Sequence, residues 1–172
     1  SSMFDADTEV TMWAHIMVGV TFLSVFIYDF IYKSTLAKNV RLVTIISFLL
    51  IIGIEYLMIH CGQFSYRAFN IHIGAMFGSI MAFNVWFRIW PAQQNIITAI
   101  KDGETPDGDQ MALAGLRSKH NTYLSIPLIW TMINEHTVVF SGQICGCIGL
   151  VLAIVIPVGW HIVFQLYKKS AK

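Results

Sequence analysis

The chain has 172 residues, of which 56% are hydrophobic and 12% charged, and its formal net charge is +1. A soluble domain carries about twice that share of charged residues, so the composition excludes a soluble globular protein and indicates an integral membrane protein. The three cysteines, Cys61, Cys145 and Cys147, form no disulfide framework, no CxxC pair and no CxxCH haem-attachment motif.

Five apolar segments follow one another along the chain. They cover residues of about 10–32, 42–60, 68–90, 111–135 and 144–167. Each is long enough to cross a bilayer as a helix. The predicted fold class is therefore all-α, with residues 1–172 forming a single domain, an integral membrane bundle of five transmembrane helices. Aromatic residues and a proline, Trp86, Trp90 and Pro91, are expected to stop the third helix.

Charge asymmetry predicts the orientation of this bundle. Ten of the eleven Lys and Arg residues fall on one face, and Arg67 falls on the other. Because cytoplasmic loops are enriched in Lys and Arg, we expect the N-terminus outside and the C-terminus in the cytoplasm, in a bacterial inner membrane. The acidic first ten residues lack the basic region and cleavage site of a signal peptide. The ten Lys and Arg residues of the predicted cytoplasmic face are Lys33, Lys38, Arg41, Arg88, Lys101, Arg117, Lys119, Lys168, Lys169 and Lys172.

Two histidines near the outer ends of the segments lie at matched depths, counted at about 1.5 Å of rise per residue. His15 lies about one turn into the first segment, and His72 lies at a similar depth in the third. Helical spacing is expected to place five residues of the first segment on one face. These are His15, Gly19, Phe22, Phe26 and Asp29. The two histidines therefore form a predicted outer pair.

A second pair of histidines is expected near the inner side. His161 lies close to the end of the fifth segment, and His120 lies within the first half of the fourth. Their depths match if Arg117 and Lys119 extend their side chains to the membrane interface. Two further histidines end segments on the outer side and are expected to be more superficial, His60 and His136.

Two depth-matched histidines on different helices are what a b-type haem requires. Each imidazole binds the iron from one side, and small residues such as Gly74, Ala75 and Gly78 admit the porphyrin. The sequence therefore predicts one or two haem b groups that carry electrons within a larger membrane oxidoreductase or respiratory complex. The predicted iron ligands are His15, His72, His120 and His161, with His136 and His60 as alternates.

The histidines also have a simpler interpretation, and two other features have interpretations of their own. A histidine near a helix end is often an interfacial residue or an interhelical hydrogen-bond donor, which would make the chain a structural accessory subunit without a cofactor. Glu55, inside the second segment, is a proton-relay carboxylate, a neighbour of a haem propionate, or a protonated glutamate bonded to another helix. His60, Cys61 and His136, together with the acidic N-terminus, are candidates for an outer copper or zinc site.

Three stretches of the chain resemble a known family. Residues 72–94 are HIGAMFGSIMAFNVWFRIWPAQQ, residues 117–136 are RSKHNTYLSIPLIWTMINEH, and residues 12–22 are MWAHIMVGVTF. They resemble the membrane domain of the bacterial membrane-bound, cytochrome c-linked urate oxidase family. The residues that carry the resemblance are Trp13, His15, Gly19, His72, Gly74, Ala75, Asn84, Val85, Pro91, Gln93, Arg117, Ser118, His120, Asn121, Tyr123, Leu124, Pro127 and His136.

This resemblance implies a urate oxidase-like catalytic membrane subunit as an alternative function, and it adds His136 to the histidines that depth selects. The family's enzymes carry further spans before this region and a cytochrome c domain with CxxCH, which this chain does not contain. A redox subunit is therefore favoured over a complete enzyme. Its expected partners are the lipid bilayer and other subunits of a membrane complex, with a c-type cytochrome as a candidate, and no nucleic acid.

Overall fold

The fold is that of a computed structural model, which describes residues 12–134 and 148–170. Within these two ranges the chain forms helices and no strand, so the predicted all-α class is confirmed. The five helices are α1 (Met12–Lys33), α2 (Val40–Cys61), α3 (Tyr66–Lys101), α4 (Gly108–Asn134) and α5 (Ile148–Ser170).

Four of the five helices are long and apolar enough to cross a membrane, namely α1, α2, α3 and α5. Helix α4 has 27 residues, but its first half carries Asp109, Arg117 and Lys119 and is much more polar than the other helices. Membrane embedding is thus supported by helix length and composition, and the sides on which the termini lie stay a prediction.

The third apolar segment does not end at Trp90 and Pro91, which corrects the prediction. Helix α3 continues through both residues to Lys101, and a π-helical turn, Val85–Ile89, lies just before them. Pro91 occupies the first turn of the α-helical part that follows, where its missing N–H group is tolerated. The segment after the expected stop therefore extends the helix and packs against α4.

Helix α3 is the centre of the bundle, packed between α1 and α4, while α4 also packs against α5. Gly74 allows α3 and α4 to approach closely, because a Cβ atom there would lie 2.9 Å from Oγ1 of Thr131. This glycine was expected to make room for a porphyrin, yet the side chain of Thr131 fills the space beside it. The buried residues of α3 between Tyr66 and Asn84 are Ala68, Phe69, Asn70, Ile73, Gly74, Met76, Phe77, Ile80 and Asn84.

Helix α1 presents only part of the predicted stripe to the bundle. Of the residues expected to share one face, Asp29 is buried, whereas His15, Phe22 and Phe26 are exposed. The inward face instead carries small and polar residues, because lipid contacts large apolar side chains as readily as the protein interior does. The buried residues of α1 are Ala14, Met17, Thr21, Ser24, Val25 and Asp29.

Candidate functional site

A group of ionised side chains lies where α1, α3 and α4 meet, and two of its members, Asp29 and Arg117, are buried. Asp29 of α1 is 8% exposed and accepts hydrogen bonds from two arginines of neighbouring helices. Arg88 donates from Nε to Oδ1 over 3.0 Å and from Nη2 to Oδ2, and Arg117 donates from Nη2 to Oδ1 over 3.2 Å. Lys33 lies 3.0 Å from Oδ2 of the same carboxylate. Three cations therefore share a single carboxylate.

Arg117 has more hydrogen-bonding capacity than its neighbours use. Its side chain is 2% exposed, and its Nε and Nη1 have no hydrogen-bond partner among the described residues. The guanidinium carbon lies 5.2 Å and 5.8 Å from the ring centroids of Tyr28 and Tyr32, which favours the cation through the ring faces. Burying donors without acceptors costs free energy, so this position favours a ligand or water that supplies acceptor oxygens.

A network of neutral polar groups adjoins the ions. Asn84 donates from Nδ2 to the hydroxyl of Tyr28 over 3.1 Å and to Oδ1 of Asn121 over 2.9 Å. Asn121 donates to the carbonyl of Met81 over 3.1 Å, and the Tyr28 hydroxyl lies 2.7 Å from Nδ1 of His120. Asn84 Oδ1 is buried without a partner among the described residues. The network thus offers a free acceptor close to the free donors.

These residues form what we name the central polar cluster. Its members share faces on three helices, because residues three or four positions apart lie one above the other. Asn84 and Arg88 have this spacing on α3, and Arg117, His120 and Asn121 have it on α4. The central polar cluster consists of Tyr28, Asp29, Asn84, Arg88, Arg117, His120 and Asn121.

The outer histidines lie near the starts of α1 and α3. His15 is exposed on α1, whereas His72 is half-buried on α3. Nδ1 of His72 lies 2.7 Å from the carbonyl of Ala68, and its ring lies 4.8 Å from the ring of Phe64. His60 is exposed, and its ring packs against Tyr56 at a centroid distance of 4.4 Å.

The inner histidines have different neighbours. His120 belongs to the central polar cluster, and its ring also lies 4.4 Å from the ring of Tyr32. His161 is exposed on α5, with Nε2 3.2 Å from Nε2 of Gln165 on the same helix. His136 lies outside the described residues. Over the part of the chain that the structure describes, no group of three or more His, Cys, Asp or Glu side chains is arranged to hold a metal ion.

The matched depth of the inner histidine pair required Arg117 and Lys119 to extend to the membrane interface, and Arg117 does not. Its side chain points into the bundle, where Asp29 neutralises part of its charge. Lys119 is exposed, and its ammonium group lies 4.9 Å from the ring centroid of Tyr167. An acidic residue in an apolar segment signals a buried partner, and Asp29 carried that signal.

Comparison with protein-family models connects the chain to a known family. A model described as urate oxidase N-terminal matches residues 2–172. No curated protein and no solved structure matches the chain. The family match agrees with the resemblance of residues 72–94 and 117–136 to urate oxidases, while the membrane-bound, cytochrome c-linked form of that resemblance stays a prediction.

Proposed function

The chain belongs to the urate oxidase N-terminal family, and we propose that it is the membrane-embedded domain of a urate oxidase-like oxidoreductase that binds urate at the central polar cluster. A single observation carries this proposal. The buried Arg117 keeps two donors without partners among the described residues, in a site where two arginines and the exposed Lys33 share one carboxylate. The occupant that this site favours is a small anion with several acceptor atoms.

Urate has the chemistry that the cluster lacks. At neutral pH it is a planar monoanion with carbonyl oxygens that accept hydrogen bonds and ring N–H groups that donate them. The Nε and Nη1 donors of Arg117 point from different edges of the guanidinium, so each suits a separate acceptor atom of the bound anion. Asn84 Oδ1 accepts from a ring N–H group, and a single negative charge offsets part of the surplus positive charge.

Urate binding to the purified protein tests this proposal. We expect equilibrium dialysis with the chain in lipid nanodiscs to show saturable urate binding, and hypoxanthine, an uncharged purine, to bind much more weakly. Arg117→Gln should weaken urate binding about 10- to 100-fold, the loss expected for hydrogen bonds to a charged group. The matched control is Arg41→Gln, which removes one exposed positive charge from the start of α2 and should leave binding unchanged.

Circular dichroism and gel filtration establish that each variant is folded before its binding is compared. If folded wild-type protein does not bind urate, or if folded Arg117→Gln protein binds it as well as the wild type does, the central polar cluster is not the urate site.

Haem b binding is a second candidate function, and one contact of His72 favours it. When Nδ1 of His72 donates to the Ala68 carbonyl, Nε2 is left unprotonated and directed for metal binding. His15, which is exposed on the neighbouring helix α1, is the candidate for the opposite ligand, with His120 and His161 as the candidates for an inner haem. Haem would supply one-electron transfer to other subunits of a membrane complex, with a c-type cytochrome as a candidate partner.

A pyridine haemochrome spectrum of the purified chain tests this candidate. We expect a b-type spectrum with one or two haems per chain and a loss of absorbance in His72→Ala, whereas His60→Ala should leave the spectrum intact. A haem-free wild-type protein, purified from cells supplied with a haem precursor, would exclude the candidate.

A further inference from the structure

A cavity of about 650 Å³ lies between the helices and adjoins the central polar cluster at Tyr28 and His120, which belong to its lining. Cavities of 300–1,000 Å³ are typical of small-molecule sites. All five helices contribute residues to its walls, including Met17 of α1, Ile54 of α2 and Trp160 of α5. The cavity therefore lies between α2 and the other helices, and it is partly open, because Ile27, Val40 and Phe164 of its lining are exposed.

Most of the cavity is apolar and elongated. Its lining follows α2 from Val40 to Leu57, which corresponds to about 25 Å of helix. Spread over that length, the volume leaves a passage roughly 6–9 Å wide, which is narrower than the 10–12 Å diameter of a helix with its side chains. The long, narrow apolar lining thus fits a flexible apolar chain lying along α2.

The end of the cavity near the α1–α2 link is polar and aromatic. Tyr32 and His120 have ring centroids 4.4 Å apart, and the hydroxyl of Tyr32 is 3.5 Å from Oγ of Ser47. A contact of that length leaves both hydroxyl groups able to donate to a ligand. The Tyr28 hydroxyl contacts Nδ1 of His120, and Nε2 of this ring has no hydrogen-bond partner among the described residues. These groups are neutral donors beside aromatic ring faces.

We propose that this cavity binds an isoprenoid quinone, with the quinone ring at Tyr32, Ser47 and His120 and the isoprenoid tail along α2. The two carbonyl oxygens of a quinone accept hydrogen bonds from hydroxyl and imidazole groups, and its flat ring packs against aromatic side chains. A phospholipid would need cationic groups for its phosphate. Lys119, the cation in the lining, lies over the ring of Tyr167. The shape and chemistry of the cavity carry this proposal independently of urate binding.

Fluorescence of Trp160, which lines the cavity, provides the first test. We expect decylubiquinone, titrated into the full chain in quinone-free nanodiscs, to quench tryptophan emission in a saturable way. Trp160→Phe should remove most of that saturable quenching. The absence of saturable quenching by decylubiquinone and by a short-chain menaquinone overturns the proposal.

Filling the cavity provides the second test, read out as binding of tritiated decylubiquinone. Ile54→Trp places a large side chain in the cavity and should weaken binding at least tenfold. The matched control is Ile45→Trp on the same helix, at a residue that is 57% exposed and outside the lining, which should leave binding unchanged. Equal binding by these two folded variants contradicts the proposal.

The hydrogen-bonding role of the polar end is tested by a variant that keeps the shape of the cavity. Tyr32→Phe removes one hydroxyl donor and should weaken decylubiquinone binding about threefold to tenfold, the loss typical of one hydrogen bond. This variant also decides the question if Ile54→Trp does not fold. Unchanged binding in Tyr32→Phe, or displacement of the quinone by phosphatidylglycerol at equal concentration, overturns the assignment in favour of a lipid site.

Discussion

Asp29 is the residue on which the charge balance of the central polar cluster depends. It contacts Arg88, Arg117 and Lys33, and two of these partners belong to other helices. Removing one partner of a buried ion pair is far more damaging than removing both, because the remaining charge is left without compensation. Asp29 therefore links the stability of the bundle to the positive charge that the proposed urate site needs.

We expect Asp29→Asn to lower the free energy of unfolding by about 3–5 kcal/mol, because Arg117 is left as an unpaired buried cation. The double variant Asp29→Asn with Arg117→Gln should recover part of this loss. Thermal unfolding in detergent measures both effects, and Asp107→Asn, at an exposed residue, is the matched control. A double variant that is less stable than the sum of the single variants predicts would contradict the expected pairing.

Glu55 shows the opposite situation for a buried carboxyl group. It is 2% exposed on α2, and its Oε1 has no hydrogen-bond partner among the described residues. None of the proposed sites includes it, and an unsatisfied buried polar atom typically costs about 1–3 kcal/mol. The three roles suggested for Glu55 by its position in the sequence, in a proton relay, beside a haem propionate or in a hydrogen bond to another helix, remain predictions. Its burial shows only that it lies inside the bundle.

The contact between α3 and α4 depends on small residues. A Cβ atom at Gly74 would lie 2.9 Å from Oγ1 of Thr131, a hydroxyl that donates to the carbonyl of Leu128. At Gly78, one turn further along α3, the nearest atom would be a Leu128 methyl carbon at 3.9 Å. The two glycines therefore allow the same substitution to be compared in a tight and in an open environment.

We expect Gly74→Ala to destabilise the bundle by about 1–3 kcal/mol, because the added methyl group forces α3 and α4 apart. Gly78→Ala should be neutral or stabilise it by up to about 1 kcal/mol, since alanine favours the helix and meets no obstacle. Thermal unfolding in detergent compares the two variants. Equal effects of both substitutions would show that the helices do not approach as closely at Gly74 as described.

The sequence identifies the helices better than it identifies their faces. In a membrane, side chains that contact lipid and side chains that contact other helices are both apolar, so periodicity does not distinguish them. The stripe of His15, Phe22 and Phe26, which the haem prediction needs to face another helix, therefore lies on the exposed side of α1. The reliable signals were Asp29, whose charge costs free energy when exposed to lipid, and the small residues of the same helix, which gain little from contact with lipid.

The central polar cluster could be foreseen only in part. Resemblance and depth both selected His120, and Asn84 and Asn121 were among the residues that carried the resemblance. The ion pairs of Asp29 with Arg88 and Arg117 were not predicted, because the two arginines were counted as part of a positive surface. Which cations enter a bundle depends on the rotation of three helices about their axes, and that rotation is set by packing, not by the sequence pattern of one segment.

At the scale of the whole molecule, the cationic end of the bundle also contains the polar end of the cavity. Lys33 and Lys38 flank the α1–α2 link, and Lys101 ends α3, while Tyr32 and Ser47 lie within a few turns of that link. If Lys and Arg mark the cytoplasmic side, the proposed quinone ring and the proposed urate site both lie in the cytoplasmic half of the membrane. The orientation of the chain thus determines from which side urate reaches its site.

We expect the α3–α4 link to lie in the cytoplasm and the α2–α3 link outside, because ten of the eleven Lys and Arg residues belong to the first side. In a cysteine-free background, Thr105→Cys should react with a membrane-impermeant maleimide only after the cells are permeabilised. Gln63→Cys, exposed in the other link, should react in intact cells and serves as the matched control. The reverse labelling pattern would invert the bundle and place the urate site within reach of the outer side.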